Sequence, residues 1–156
     1  MKVRILTALL ASAALCAAED HFARARELYK GGPSKAPEVL AELNLELREH
    51  PENIKAYILK ALTQMGTEKL DDALKTLDAA QKEADKDKSI YREIPFYRAQ
   101  CLFYKRDFAE AKKALEPYSG FYLGNKEDEA QYDQLMDAIN SKLKANKQKH
   151  VEPTPK

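Results

Sequence analysis

The feature that most constrains this chain is a tandem duplication with an offset of 38 residues, which aligns Ala61 with Ala99. The other matches are Lys60 with Arg98, Met65 with Phe103, Leu70 with Phe108, Ala73 with Ala111 and Leu77 with Leu115. Each copy carries two apolar stripes at steps of three and four residues, the spacing of amphipathic helices. A repeated helix–turn–helix unit cannot bury its apolar stripe alone, so neighbouring units must stack.

The same helical spacing continues on both sides of the duplicated part. Turn-forming residues such as Gly31-Gly32-Pro33, Pro51 and Gly66 separate the stripes. The sequence therefore predicts an all-α protein with short connections. The predicted helices cover about 22–29, 39–49, 54–65, 70–80, 94–104, 108–118 and 125–147.

The two copies resemble the tetratricopeptide repeat family, and the resemblance covers roughly residues 20–118. Ala73 and Leu77, four residues apart, match the small and large apolar positions of the motif's second helix, as do their duplicates Ala111 and Leu115. Further matches are the small residues Ala61 and Ala99 of the first helix, Tyr57 at the usual Trp position and the closing Pro51. The resemblance implies a right-handed α-solenoid of about three helix–turn–helix pairs, followed by a C-terminal capping helix.

The resemblance also implies a binding surface, because first helices line a concave groove in this family. The matching positions here are Lys55, Ile58, Leu62, Met65, Glu93, Phe96, Gln100, Phe103 and Tyr104. Apolar surface left in water costs about 25 cal/mol per Å², so such a groove is typical of a binding site. We expect an apolar or amphipathic segment of another protein to dock there, with Lys55, Glu93 and Arg98 setting its orientation. Alternatively, the last helix fills the groove through Tyr132, Leu135, Met136 and Ile139, which would make the protein a structural subunit.

Lys60 and Arg98 occupy one repeat position where the family usually has Leu. One interpretation is that their apolar stems cover the helix interface while the charged ends reach water or a neighbouring acid. The other is a pair of cations that binds a carboxylate of the partner. Because Ile58 and Leu62 occupy groove positions that a carboxylate site would need to be polar, the first interpretation is favoured.

The first eighteen residues differ from the rest of the chain. After two basic residues, an uncharged apolar run extends from Ile5 to Cys16, and two alanines precede an acidic pair. This is the layout of a secretory signal peptide, and the run is shorter than the roughly 20 residues that a membrane-spanning helix needs. We therefore predict a periplasmic or secreted protein without stable membrane insertion. The expected parts are a signal peptide over 1–18, a helical repeat domain over 19–147 and a flexible tail over 148–156.

Cleavage after Ala18 would create one possible metal site. The mature chain would then begin Glu19-Asp20-His21, and its amine, two backbone nitrogens and the His21 imidazole could hold Cu(II) or Ni(II) in a square plane. The alternative is a histidine of no special role near a helix start. A small-ligand or metal-binding protein is therefore the rival to the scaffold interpretation.

Other functional classes find little support in the sequence. The chain has 26 Lys and Arg against 25 Asp and Glu, and the predicted signal peptide contains two of the basic residues and none of the acidic ones. The mature net charge is therefore about −1, without the basic face that nucleic-acid binding requires. The sequence contains no phosphate loop or nucleophile motif, and Cys101 lies between apolar neighbours as a buried thiol would. We expect a scaffold for assembling a bacterial envelope complex, with no enzymatic activity and no cofactor.

Overall fold

The computed structural model describes residues 20–86, 88–118 and 126–149 and confirms an all-α fold over them. The predicted signal peptide and the far end of the tail lie outside these residues. Seven α-helices make up the described part. They are α1 (His21–Tyr29), α2 (Ala36–Glu49), α3 (Ile54–Gly66), α4 (Leu70–Lys86), α5 (Glu93–Tyr104), α6 (Phe108–Leu115) and α7 (Lys126–Lys149).

The helix bounds differ from the predicted ones most at the start of α2, which lies at Ala36, and at the ends of three helices. Helix α4 continues to Lys86, and α7 continues to Lys149, because nothing in either stretch breaks a helix. Helix α6 ends at Leu115 and passes into a short 3-10 turn over Glu116–Tyr118. Pro117 lies in that turn, and proline disfavours the α conformation of the residue before it.

Short polar side chains begin three of the helices. The carboxylate of Asp20 accepts from the N–H of Ala23 at 2.8 Å in α1, and the side chain of Asn53 accepts from the N–H of Ala56 at 3.2 Å in α3. Asp107 begins α6 in the same way. Such caps satisfy N–H groups that have no partner within the helix, and each contributes about 1 kcal/mol. They fix the points at which α1, α3 and α6 begin.

The two turns inside the duplicated part have the same backbone. Glu68 and Arg106 both adopt the left-handed conformation, with φ of 60° and 65°. In the first turn the N–H of Lys69 donates to the carbonyl of Gln64 at 2.9 Å, and the equivalent bond in the second turn has the same length. The duplication seen in the sequence therefore extends to the geometry of the connections.

The helices stack as successive pairs. Helices α1 and α2, α3 and α4, and α5 and α6 each form an antiparallel pair. Helices α3 and α5 each pack on the second helix of the pair before them and more lightly on its first helix. Helix α7 contacts α6 and α5 in the same way. It therefore extends the stack in the position of a first helix, as the predicted capping helix would.

The core consists of three apolar clusters, one at each junction. The first comprises Ala25, Val39, Leu43 and Ala56. The central cluster comprises Ile54, Ala61, Ala73, Leu77, Ala80, Ala84, Ile94 and Cys101. The last comprises Ala99, Phe108, Ala111, Leu115 and Ile139. Each cluster joins one pair to the first helix of the next, so the predicted burial of stripes between neighbours is confirmed.

Cys101 is a buried thiol at the centre of the stack, as predicted. Its Sγ donates to the carbonyl oxygen of Leu70 at 3.2 Å. Burial raises the pKa of the Cys101 thiol, so the uncharged form is favoured at neutral pH. Cys101 therefore acts as a small packing residue between α5 and α4.

Candidate functional site

The candidate site is the face formed by α1, α3, α5 and α7, here called the first-helix face. Tyr97 on α5 lines a pocket together with Asp128 and Gln131 of α7. Burial raises the pKa of the Tyr97 hydroxyl, and the charges of Glu93, of Tyr29 on α1 and of Asp128 on α7 raise it further. The uncharged form of Tyr97 is therefore favoured at neutral pH.

On α5, three predicted groove residues form an exposed or half-exposed stripe. Glu93, Gln100 and Tyr104 are spaced so that they lie along one side of the helix. The side-chain amide of Gln100 donates to the hydroxyl of Tyr104 at 3.5 Å. Tyr104 is 55% exposed, which is unusual for so large an apolar ring. The stripe offers an aromatic surface with polar groups beside it.

On α3, the four predicted residues have different environments. Lys55 is exposed. Ile58 and Met65 are half-buried and pack against the central cluster, which leaves part of each side chain on the surface. Leu62 is also half-buried and lines a pocket. Helix α3 therefore contributes a mostly apolar strip with a lysine at its start.

The first pocket of the face lies between α1 and α3 and has a volume of about 270 Å³. Leu62 and Thr63 of α3 face Tyr29 of α1 across it. Its other lining residues are Gly32, Pro33, Ala36, Val39, Gly66 and Thr67. Gly32 has a φ of 78°, which glycine adopts without steric cost, and the chain can therefore turn sharply at the rim. Its described lining contains no charged side chain.

The second pocket lies between α5 and α7 and has a volume of about 390 Å³. Phe96, Tyr97 and Glu93 of α5 line it opposite Asp128 and Gln131 of α7. Ile90, Tyr91 and Arg92, which precede α5, complete the lining. This pocket combines aromatic walls with the carboxylates of Glu93 and Asp128 and the guanidinium of Arg92. The two pockets thus lie at opposite ends of the first-helix face, with the α3 strip between them.

Two predicted aromatic groove residues are partly used in internal packing. Phe96 and Phe103 are half-buried against the last cluster. The ring of Phe103 meets that of Phe108 edge-on, with centroids 5.4 Å apart. The predicted groove is therefore less open on α5 than its sequence suggests, because the same rings also hold α5 to α6 and α7. Helix α7 extends the row of first helices, and its residues Tyr132, Leu135, Met136 and Ile139 pack at this same cluster, which agrees in part with the predicted alternative of a self-filled groove.

Arg98 does not lie with the groove residues, which corrects its predicted role there. Its guanidinium forms a short ion pair with Asp78 on α4. Lys60, at the equivalent position, is also partly buried: burial lowers the pKa of its amine, and nearby Asp72 opposes that shift. Both cations therefore cover the interface between helices with their stems and meet a neighbouring acid, as the favoured interpretation of this repeat position predicted.

His21 on α1 is hydrogen-bonded to α2, within the first pair of helices. Its Nδ1–H donates to the Glu42 carboxylate on α2 at 2.8 Å, and Arg24 lies 3.2 Å from the other oxygen of that carboxylate. The metal site would need the amine of Glu19, which lies outside the described residues. Over the part of the chain that the structure describes, no three metal-ligating side chains form a cluster. The metal site at His21 stays a prediction.

Sequence reasoning missed Tyr29, Tyr97, Asp128 and Gln131, which also line the two pockets. The first helix pair lacks a clear motif, so Tyr29 could not be placed by repeat position. Aligning α1 to the other first helices through the buried Ala25 would have placed Tyr29 in the row of Met65 and Phe103.

Comparison with solved structures shows the same fold in a bacterial secretion chaperone. The match is the type III secretion chaperone SycD of Yersinia enterocolitica, solved in complex with a peptide of the translocator YopD. The TM-score is 0.68 at 17% identity, over 80% of this chain and 92% of that chain. The chain has a tetratricopeptide-like helical fold. No protein-family model and no curated protein matches it, and at this identity the likeness concerns the fold. Among the described helices, none is long and apolar enough to cross a membrane.

Proposed function

We propose that this protein is an exported scaffold that binds a segment of a partner protein on its first-helix face. The observation that carries the proposal is the pair of pockets at the two ends of that face, joined by the half-buried apolar strip of α3. A chain lying across the face could place one apolar side chain in each pocket. Its intervening residues would cover Ile58 and Leu62.

The position of the pockets favours a peptide over a small molecule. The pocket beside Tyr29 and the pocket beside Phe96 lie at opposite ends of the first-helix face. A small molecule would occupy one of them, whereas an extended segment can reach both. In SycD, a protein of the same fold, the solved complex contains a peptide of another protein. This supports a peptide partner here.

The segment we infer is apolar with a basic or polar residue near one end. Tyr29, Leu62 and Thr63 offer the first pocket no charge, whereas two acids, Glu93 and Asp128, and one base, Arg92, line the second, whose net charge is therefore negative. Opposite charge at one end would fix the direction in which the segment lies. The signal-peptide layout of residues 1–18 supports a place in the periplasm or outside the cell, where such a scaffold would help to assemble an envelope complex.

Cross-linking in an envelope extract, followed by reconstitution with the purified candidate, tests the proposal. The variants are Tyr29→Glu and Tyr104→Glu, whose side chains are 41% and 55% exposed, so the fold should tolerate them. The control is Ala41→Glu, which adds the same charge at an exposed position on the second helix α2.

We expect Tyr29→Glu and Tyr104→Glu each to lose about thirtyfold in affinity for the purified partner, as loss of an aromatic anchor does, while Ala41→Glu binds like wild type. Equal binding by all three variants would reject the first-helix face as the site. Circular dichroism of each variant separates loss of binding from loss of fold.

A further inference from the structure

A second surface lies on the other side of α7, in the seam between α6 and α7. Four side chains of α6 and the turn after it face four of α7 across a depression of about 510 Å³. They are Ala109, Lys112, Lys113 and Glu116 on one side, and Asn140, Leu143, Lys144 and Lys147 on the other. Both sets have the spacing i, i+3, i+4, i+7, so each forms one stripe along its helix. The seam is therefore a groove between two parallel stripes.

This groove is distinct from the first-helix face. Asn140 follows Gln131, which lines the pocket between α5 and α7, by nine residues, or about 2.5 helical turns. The two residues therefore lie on opposite sides of α7. A molecule in the seam would not meet one bound on the first-helix face.

The seam has a strong positive charge in a nearly neutral protein. Four of its eight lining residues are lysines, and Glu116 is its one acidic residue. Glu116 is 3.9 Å from the Lys112 amine, a weak pairing, and Lys113 is 3.5 Å from Glu110, outside the lining. From Asn140 to Lys149, α7 contains no acidic residue. The charges of Lys144 and Lys147 are thus not balanced along their own helix.

The shape of the seam favours a chain over a flat surface. Each stripe extends over seven residues, about 10 Å, which is the length of about three residues of extended polypeptide. Leu143 is half-buried at the last cluster and gives the groove an apolar floor. The amide of Asn140 can pair with a peptide group. A bilayer would meet the lysine ends but not enter between the helices.

We propose that the α6–α7 seam binds an acidic segment of a partner protein in extended form. Carboxylates of the segment pair with Lys112, Lys144 and Lys147, and the aliphatic parts of its side chains lie over Leu143. The occupant is an Asp- and Glu-rich polypeptide because the groove combines positive charge with a narrow, partly apolar floor. This surface is independent of the proposed function of the first-helix face.

Fluorescence anisotropy with a labelled hexaglutamate peptide, and hexaglutamine as its neutral counterpart, tests the proposal on the purified protein. One triple variant removes three charges from the seam: Lys112→Gln, Lys144→Gln and Lys147→Gln. The matched triple removes three charges from exposed lysines of α4 and the turn before it: Lys69→Gln, Lys75→Gln and Lys82→Gln. A third triple replaces the seam lysines by arginine and keeps the charge.

We expect hexaglutamate to bind in low salt and hexaglutamine not to bind. The seam Gln triple should weaken binding about tenfold, since exposed ion pairs each contribute modestly, and the α4 triple and the Arg triple should bind like wild type. Equal weakening by both Gln triples would overturn the proposal, because general charge attraction explains it. No binding by wild type would also overturn it. So would binding to phosphatidylglycerol vesicles without binding to hexaglutamate, which would assign the seam to a membrane surface.

Discussion

Ile139 gives the sharpest test of how α7 is held. It is the fully buried α7 residue of the last cluster, against which other side chains of α7 pack with partial burial. Ile139→Ala would remove three carbon atoms and leave a cavity between α7 and α6. Substitutions of this kind cost 2–5 kcal/mol, and we expect about 3 kcal/mol here. Since 1.4 kcal/mol is a factor of ten, opening of α7 should become about a hundredfold more frequent.

Hydrogen exchange followed by mass spectrometry measures that opening helix by helix. In a stack where each cluster joins only adjacent pairs, the effect should be confined to α7 and the facing side of α6. Amides of α1 and α2, whose cluster contains no α7 residue, should exchange as in wild type. The control is Gln134→Ala at an exposed position of α7. Uniform acceleration from α1 to α7 would refute the reasoning, and so would unchanged exchange in α7.

Three other substitutions test the helix interfaces, with the free energy of unfolding measured by urea denaturation. Lys60→Leu should raise it by about 0.5–1 kcal/mol at pH 7. Burial lowers the pKa of the Lys60 amine in the folded state, so the free-energy cost of burying the charged amine is present below that pKa. This cost disappears as the pH rises through the folded-state pKa towards the unfolded-state pKa. The gain in stability from Lys60→Leu should therefore shrink in strongly alkaline solution, and a gain independent of pH would contradict this cause. Asn53→Ala should lower the free energy of unfolding by about 1 kcal/mol, because Asn53 caps α3 and its amide donates to Glu46 at 2.6 Å. As the control, Glu52→Ala at the exposed neighbouring position should change the free energy of unfolding little. Arg106→Gly should raise the free energy of unfolding by about 1 kcal/mol, because glycine adopts the left-handed conformation of this position without strain. A loss of stability would show that the Arg106 side chain stabilises the fold by more than the strain costs.

The helices were predictable because their apolar residues recur at a single period. Leu77 and Leu115, one repeat apart, are both fully buried at equivalent junctions. Each apolar position of one repeat recurs 38 residues away in the other, so the helical spacing was supported twice. The ends of α4 and α6 were less predictable. Helix α4 runs six residues past Ala80, and Ala84 is the one apolar residue among them. Helix α6 passes into a 3-10 turn at Glu116, although Tyr118 continues its apolar spacing.

The candidate site was less predictable than the fold. Repeat position placed Leu62, Glu93 and Phe96 at pockets, but it could not tell how far Phe96 and Phe103 would be covered by α7. It also placed Arg98 in the groove, although its partner Asp78 lies twenty residues earlier on another helix. Pairings between side chains depend on the angles at which helices meet, which a single sequence does not specify.

The division of the interior into three junctions has a mechanical consequence. Each junction can rotate slightly on its own, and small rotations accumulate from α1 to α7, as in a hinged chain. The distance between the pocket beside Tyr29 and the pocket beside Phe96 would therefore respond most to such flexing, because it spans the whole series. A ligand anchored at both points would stiffen the protein along its length without disturbing the packing at any one joint.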